Sequence, residues 1–472
     1  MNTVNKFVLI FICYLMLMFD VRAQDTNEKI EKVIAEFVKL EQFSGSILVA
    51  KDGEVLYSKA FGEANKDHHV KNTLQTKFNI GSAGKILTGI SIMQLAEKGK
   101  LGVADPVIKH LDDFPHGDQI TIHHLLTHTS GMGNYFAHPE FLTKMFNIRS
   151  VSDALPLIYD QGLMFETPGE QYAYSNSGIV VLGAIIEKVS GQSYREYLQD
   201  NILTPLDMND TDINYLNEIE ENRASGYMKS PSGVFTSNIF MVPPANADGG
   251  IESTVEDLLK LDQALYSDKL LSEESRERMF TPFMEKYGYC WRIEEKYGNK
   301  VTWHSGGAPG VSASFKRFID DRYTFIVLSN YSGGSSKVSK TIEAIIFGDE
   351  YEMPKPTLGE FLYQSMEENG IDETMQNIEQ LLSDNGYKIV SSRQLNFLGY
   401  TLLGEENLNM ALAIFQLNVQ LFPEEANPYD SLGDAYLKKG DTELAIESFK
   451  KALEKDPGFE SSKRKLEKLK ME

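Results

Sequence analysis

The sequence predicts a domain that mixes helices and strands, followed by an all-helical domain. Strand-like segments occur at 45–61 and again at 300–328, with a long and mostly helical region between them. We therefore expect an α+β domain whose antiparallel sheet is assembled from both ends of this region. Pro354 and Pro356 then mark a boundary, because two prolines resist both helix and central strand. Beyond them glycine becomes rare and helical periodicity dominates.

Local patterns predict the elements of the first domain. Apolar residues at helical spacing predict a helix at 28–40. Asp52-Gly53, between two apolar runs, predicts a β-hairpin. A second hairpin is predicted around 320–322, and a helix at 338–347.

Composition excludes several classes of protein. Among 472 residues, 46 Lys and Arg stand against 68 Asp and Glu, a formal charge of −22. A hydrophobic content of 42% is ample for packed cores, so the chain is not a disordered protein. The acidic balance argues against nucleic acid as a partner, because phosphates require clustered Lys and Arg. Two cysteines, Cys13 and Cys290, cannot build a zinc ribbon or a disulfide framework, and we expect no metal or cofactor.

The first 23 residues are predicted to be a secretory signal. Lys6 precedes an apolar run at 7–19, and small residues follow at the cleavage positions before Gln24. The alternative is a membrane anchor, but Asp20 and Arg22 end the apolar run short of the roughly 20 residues that a spanning helix needs. We therefore expect export to the periplasm or the extracellular space.

The second domain contains an internal repeat of 34 residues. Five residues of one segment recur as identical residues in the next, which two unrelated helical hairpins would not share by chance. The period and the identities resemble the tetratricopeptide repeat, a helix–turn–helix unit. Helices around 358–368 and 373–383 are expected to cap the repeats upstream, and 461–469 to close the other end. The matching pairs are Leu398 and Leu432, Gly399 and Gly433, Ala411 and Ala445, Phe415 and Phe449, and Pro423 and Pro457.

The repeats offer a surface for a protein or peptide partner. By the register of the resemblance, Asn396 and Tyr400 of the first repeat and Asp430 and Asp434 of the second face the concave groove. Two carboxylates would repel an acidic peptide terminus. We therefore expect the groove to pack within the molecule or to take a neutral or basic segment.

Three short motifs carry possible chemistry. Ser82-x-x-Lys85 places a hydroxyl and an ammonium on one helical face, and the glycine before it and the apolar helix after it favour this serine as a nucleophile. The same spacing occurs at Ser448 and Ser462, which we expect on exposed faces of the tail helices. The second motif is Tyr174-Ser-Asn176, in which a nearby Lys85 ammonium would favour the phenolate.

The third motif, His304-Ser305-Gly306-Gly307, follows a predicted strand. Its glycines would let a substrate backbone approach, and a free N–H there could stabilise an oxyanion. In this order the three motifs resemble those of the penicillin-recognising serine hydrolases, in the branch of class C β-lactamases, related esterases and D-Ala-D-Ala peptidases. The resemblance spans about 28–350, and the stretches 121–131, 249–257 and 287–291 reinforce it.

The resemblance implies a β-lactamase/transpeptidase-like fold and a role for each motif residue. Ser82 would be the nucleophile, Lys85 and Tyr174 would share the role of base, and Asn176 would hold the substrate amide. The Ser82 and Gly307 N–H groups would form the oxyanion hole. His304, Ser305 and Gly306 would bind substrate where classical β-lactamases have Lys-Thr-Gly, so a lysine for the substrate carboxylate is missing and β-lactam turnover is expected to be weak.

Three functions remain open. The first is an exported serine hydrolase that cleaves an ester or amide of a small molecule or peptide, as an esterase would. The second is a D-amino-acid or D-Ala peptidase, or a weak β-lactamase, acting on cell-wall-type peptides. The third is a non-catalytic binding protein that acts through its repeats. The predicted divisions are a signal at 1–23, a hydrolase domain at 24–352, a linker at 353–357, and a helical domain at 358–472 with repeats at about 392–425 and 426–459.

Two further features have a functional and a structural interpretation. His124 and His128 have the i, i+4 spacing of a zinc site on a helix, but the catalytic glutamate of such sites is absent, so structural hydrogen bonding is favoured. Cys290 lies in a predicted strand beside Trp291, where a packed apolar role is favoured over that of a nucleophile.

Overall fold

A computed structural model describes residues 25–213 and 218–471. They form two units. The first comprises 25–213, 218–228 and 237–354, and the second comprises 229–236 and 355–471. The predicted signal at 1–23 lies outside the described residues. Within them, no helix combines the length and apolar character needed to cross a bilayer.

Most strands lie before or after the helical middle of the first unit, and three short strands, β6 to β8, lie between these two groups. They are β1 Gly45–Lys51, β2 Glu54–Phe61, β3 Glu63–Asn65, β4 Val70–Lys71, β5 Phe78–Asn79, β6 Tyr227–Lys229, β7 Phe235–Ser237, β8 Glu252–Ser253, β9 Arg292–Lys296, β10 Asn299–Ala308, β11 Val311–Phe318 and β12 Tyr323–Ser329.

The helices of the first unit lie mainly between the two groups of strands. They are α1 at 25–39, α2 Lys85–Glu97, α3 Ile122–Leu126, α4 Phe141–Lys144, α5 Val151–Tyr159, α6 Asn176–Ser190, α7 Tyr194–Leu198, α8 Val255–Ala264, α9 Glu273–Met279 and α10 Gly334–Phe347.

The main sheet joins the two ends of the first unit, as the sequence predicts. Its strand order is β2-β1-β12-β11-β10-β9, and β1 pairs with β12 in antiparallel register from Gly45 opposite Ser329 to Lys51 opposite Tyr323. Because side chains alternate along a strand, each face has its own core. Ile47 and Val49 pack with α1 and α10, whereas Leu48 faces the helical middle that contains α2 and α6.

The second unit consists of helices and of the tip of the β6–β7 hairpin. Residues 229–236 cluster with it, although they lie within the predicted hydrolase domain in sequence. Lys229 pairs with Glu360 at 2.9 Å, and Ser232 bonds Glu405 at 2.8 Å. Its helices are α11 Leu358–Asn369, α12 Ile371–Gln376, α13 Ile378–Asp384, α14 Ser392–Gly404, α15 Leu408–Leu421, α16 Ala426–Lys439, α17 Thr442–Lys455 and α18 Glu460–Met471.

The repeated glycines lie where helices meet. A Cβ on Gly399 would come within 2.5 Å of the Phe415 ring, and one on Gly433 within 2.4 Å of the Phe449 ring. Each copy of the 34-residue repeat therefore has the same contact between its two helices, in which a glycine packs against a phenylalanine ring. The helix predicted at 373–383 is instead interrupted at Asn377, between α12 and α13.

The two tail serines are buried, so the expectation that they lie on exposed faces is wrong. Ser448 is 6% exposed and donates to the Leu444 carbonyl, and Ser462 is fully buried and donates to Asp430 at 2.6 Å. Both turn inward because α17 packs on α16 and α18 covers the far end of the repeats. A hydroxyl satisfied in this way is not presented to a substrate.

Candidate active site

Ser82 lies in a short 3-10 turn, Gly81–Gly84, that leads directly into α2. The Nζ of Lys85 lies 3.0 Å from the Ser82 Oγ. Lys85 is fully buried, whereas Ser82 is partly exposed. The serine hydroxyl can therefore reach a substrate while the lysine stays behind it, at the positive end of the α2 dipole.

Glycines bring the backbone of β10 against the serine turn. A Cβ on Gly306 would lie 1.8 Å from the Ile80 carbonyl oxygen, and one on Gly81 would lie 2.8 Å from the Gly307 nitrogen. A Cβ on Gly249 would similarly approach the Ser82 nitrogen, to 3.2 Å. The Ser82 and Gly307 amides thus belong to adjoining backbones, which only glycine lets approach so closely.

Tyr174 lies beside the lysine. Lys85 Nζ is 5.2 Å from the centroid of the Tyr174 ring. The ring is followed by Ser175, which caps α6 by accepting the Gly178 N–H, and by the buried Asn176 at the first position of the helix. The start of α6 thus fixes the second motif, as the start of α2 fixes the first.

His304 lies within β10, which extends to Ala308 and so includes the whole third motif. Its Nδ1 is 2.7 Å from the Ser305 carbonyl, which can only accept, so Nδ1 carries the proton. Nε2 then accepts the hydroxyl of Tyr287 at 2.9 Å. Burial, reinforced by the charge of Lys85, lowers the pKa of His304 to about 3, so the ring is neutral. Both nitrogens are engaged, while Ser305 is partly exposed and Gly307 exposed.

Comparison with known proteins identifies the family of the chain. The family model described as Beta-lactamase matches residues 30–348. The chain belongs to the beta-lactamase family. A second model, the tetratricopeptide repeat, matches 426–459, which is the second copy of the internal repeat.

Relatives of this beta-lactamase-family chain include penicillin-binding proteins. Penicillin-binding protein 4* of Bacillus subtilis is 31% identical over 356 residues, which cover 70% of this chain and 78% of that protein. A solved penicillin-binding protein from Bacillus halodurans is 31% identical, with a TM-score of 0.62, and the match covers 66% of this chain and 98% of that one. A D-stereospecific amidohydrolase from Streptomyces is 25% identical, with a TM-score of 0.58 and coverage of 69% and 98%. The chain is thus a serine hydrolase of this family.

The beta-lactamase-family site also contains residues to which the sequence analysis gave no catalytic or binding role, among them His128, for which it favoured structural hydrogen bonding. The His128 ring lies 4.3 Å from that of Tyr174 and 4.7 Å from that of Tyr287, and its Nδ1 accepts the Ser175 N–H at 3.2 Å. Tyr287 lies in the stretch 287–291, which reinforces the family resemblance, so the sequence did contain a signal that pointed to it. Asp248, whose carbonyl accepts from Lys85, immediately precedes another such stretch, whereas no sequence signal pointed to Tyr135 behind it.

The histidine pair does not form a metal site. The helix α3 ends at Leu126, and His128 follows with a left-handed φ of 57°, so the two rings do not share a helical face. His124 Nδ1 accepts the Thr121 N–H instead, in a capping box. In the described part of the chain, no group of three His, Cys, Asp or Glu residues could hold a metal ion.

Cys290 lies in a bend before β9, not in the strand that was predicted for it. Its φ of 62° ends the extended chain there. The thiol is completely buried, and burial raises its pKa to about 12. A protonated thiol without access to solvent is not a nucleophile.

Proposed function

We propose that this protein is an exported serine hydrolase that cleaves an ester or amide bond through an acyl-enzyme on Ser82. The observation that carries the proposal is the 3.0 Å contact between Lys85 Nζ and Ser82 Oγ, with the Tyr174 ring beside the same Nζ. A serine hydroxyl needs a neighbouring base or charge before it can attack a carbonyl, and these are the groups within reach.

Each step of the reaction has a candidate group. Tyr174, together with Lys85, takes the Ser82 proton as Oγ bonds to the carbonyl carbon, and the oxyanion accepts the N–H groups of Ser82 and Gly307. The tetrahedral intermediate collapses, and the same base returns the proton to the leaving alcohol or amine. A water molecule then attacks the acyl-enzyme and gives its proton to the base. The base passes this proton to Ser82 Oγ as the acyl–Oγ bond breaks, which releases the acid and restores the free serine.

The His304 arrangement favours a substrate that needs no fixed cation at this position. Its ring is neutral and both nitrogens are engaged by Ser305 and Tyr287. A substrate carboxylate would find no free N–H on this ring. Simple acyl esters and amides, which Asn176 and the exposed backbone of Gly307 could bind, meet no such requirement.

A D-amino-acid amide or D-Ala-terminated peptide is the second candidate substrate. The resemblance to a D-stereospecific amidohydrolase and to penicillin-binding proteins supports it. Weak β-lactam turnover belongs to the same candidate, because penicillins share the acyl-D-amino-acid amide bond.

A substrate panel on the purified protein separates these candidates. Small acyl esters, D-amino-acid amides, D-Ala-terminated peptides and a chromogenic cephalosporin are compared, each with Ser82→Ala as the blank. We expect the ester to have the highest kcat/KM and Ser82→Ala to have none. Higher kcat/KM for D-peptides would select the second candidate. Equal turnover by Ser82→Ala would refute the acyl-enzyme.

Export and a role for the repeats are part of the proposal. The pattern at 1–23 supports export, and sequencing the mature amino terminus should find Gln24.

The groove carboxylates Asp430 and Asp434 both pair with Lys465, at 2.8 and 2.7 Å. One ammonium does not balance two carboxylates, so the groove keeps a net negative charge, and we expect it not to bind acidic C-terminal peptides, which isothermal titration with such a peptide can test.

A further inference from the structure

His128 is a fully buried residue that contacts the second motif in three ways. Its main-chain carbonyl accepts the N–H of Ala173 at 2.8 Å, and its ring Nδ1 accepts the N–H of Ser175 at 3.2 Å. Tyr174 lies between these two residues, and its ring is 4.3 Å from that of His128. The residues before and after the candidate base are thus both bonded to one residue, which also packs against the base itself.

The hydrogen bond from Ser175 determines the tautomer of the His128 ring. A main-chain N–H can only donate, so Nδ1 is the acceptor and the proton of the neutral ring is on Nε2. Burial, reinforced by the charge of Lys85, lowers the pKa of His128 well below its ordinary value, so the ring is neutral. The lone pair of Nδ1 is therefore available to Ser175 across the neutral pH range.

His128 has two features that oppose folding. Its φ of 57° lies in the left-handed region, which is strained for a residue with a Cβ. Its Nε2 is buried, and in the part of the chain that the structure describes this atom has no hydrogen-bond partner, which costs free energy in the folded state. Strain of this kind is concentrated at functional sites. The combination favours a role for His128 in the site over a role in stability alone.

Tyr174 depends on contacts such as these because it lies outside the helix that follows it. The helix α6 begins at Asn176, and Ser175 is its N-cap. Both N–H groups that flank Tyr174 along the chain donate to His128. The distance of 5.2 Å between Lys85 Nζ and the centroid of the Tyr174 ring is therefore set in part by His128.

We propose that His128 is a positioning residue that fixes the Tyr174 ring beside Lys85 by bonding the amides on either side of Tyr174. The inference rests on the proposed acyl-enzyme, in which Tyr174 takes part in proton transfer. His128 is fully buried and does not touch the substrate, so it acts through Tyr174. Because a misplacement of about 1 Å can cost ~10²-fold in rate, loss of the Ser175 acceptor should lower kcat and leave KM unchanged.

Two amide variants test this role. In His128→Asn the side-chain oxygen can take the place of Nδ1, because each atom is bonded to Cγ, and asparagine tolerates a left-handed φ. In His128→Gln the amide corresponds to Nε2 instead, so the Ser175 N–H loses its acceptor. With full-length protein and a small acyl ester, we expect kcat to fall about 10²-fold in His128→Gln and to stay within about tenfold of wild type in His128→Asn. KM should be unchanged in both.

His124→Ala is the matched control. The Nδ1 of His124 also accepts a main-chain N–H at 3.2 Å, from Thr121, but this bond caps α3 and does not hold a motif residue. Its kcat should equal that of the wild type. Tryptophan fluorescence confirms that each variant is folded.

Equal kcat in His128→Asn and His128→Gln would overturn the proposal, because the place of the acceptor would then not matter. So would a loss in His124→Ala as large as in His128→Gln, or a rise in KM at unchanged kcat. If only His128→Asn folds, its kcat decides: a loss of more than about tenfold overturns the proposal, and a smaller loss supports it. A wild-type protein that neither hydrolyses esters nor labels at Ser82 would instead refute the proposed function.

Discussion

The hydroxyl of Tyr287 donates a hydrogen bond of 2.9 Å to Nε2 of His304, and this contact joins the third motif to the aromatic rings beside the second. Tyr287, His128 and Tyr174 have neighbouring rings. His304 therefore belongs to the packed wall of the candidate site, and predictions about it concern stability as well as catalysis.

We predict that protonation of His304 destabilises the fold at low pH. Its pKa is lowered from 6.5 to about 3, so below pH 6.5 the unfolded chain binds a proton that the folded protein does not. The free energy of unfolding then falls as pH falls from about 6.5 to about 3, by up to ~1.4 kcal/mol per pH unit.

Urea unfolding of wild type and His304→Gln at several pH values measures this effect. Both tryptophans, Trp291 and Trp303, lie in the first unit, so their fluorescence reports on the correct unit. The stability advantage of the wild type should shrink as pH falls. A difference that is constant with pH would show that His304 does not resist protonation.

We predict that Ser82 is the only serine that a fluorophosphonate labels. It is partly exposed next to Lys85, whereas Ser448 and Ser462 are buried and hydrogen-bonded. Intact mass should increase by one adduct, and peptide mapping should locate it on Ser82. Ser448→Ala should label at the wild-type rate. Persistent labelling of Ser82→Ala would contradict the assignment.

We predict that Tyr174→Phe lowers kcat/KM by about 10²- to 10⁴-fold, the usual contribution of a general base. Tyr297→Phe is the matched control, since its hydroxyl bonds Asp349 at 3.0 Å and its ring stacks on Phe347. That variant should retain nearly full activity. Equal losses in both variants would mean that the Tyr174 hydroxyl contributes no proton transfer.

We predict that Cys290 is unreactive in the folded protein. Its pKa is raised to about 12 by burial, so little thiolate forms at pH 8. A thiol-specific chromogenic disulfide reagent should therefore react with protein beginning at Gln24 only after denaturation. Stoichiometric reaction without denaturant would show that the thiol is accessible.

We predict that Gly433→Ala destabilises the second unit by about 1–3 kcal/mol, as overpacking does. The added Cβ would lie 2.4 Å from the Phe449 ring. Gly404→Ala is the control, because nothing lies within 4 Å of a Cβ there and alanine favours helix. Urea unfolding followed by far-UV circular dichroism measures the loss, while Trp fluorescence should be unchanged. A neutral effect of Gly433→Ala would mean that the ring moves aside.

Much of the fold could be predicted because its signals are local. Asp52-Gly53 specifies a tight turn whatever lies around it, and the period of 34 specifies paired helices through Gly399 and Phe415. The interruption at Asn377 and the burial of Ser448 and Ser462 could not be predicted, because they depend on which neighbouring helix covers each residue.

By itself, the sequence determined the residue types, their order and their spacing: a serine and a lysine three apart, a Tyr-x-Asn, and a His-x-Gly-Gly. Only the tertiary structure decided what each one touches. Asp248, 163 residues after Lys85, supplies the carbonyl that Lys85 bonds, and Tyr287 takes the free nitrogen of His304. The physical reason is that charge and proton position in a buried site depend on desolvation and on partners brought together by the fold, neither of which spacing along the chain encodes.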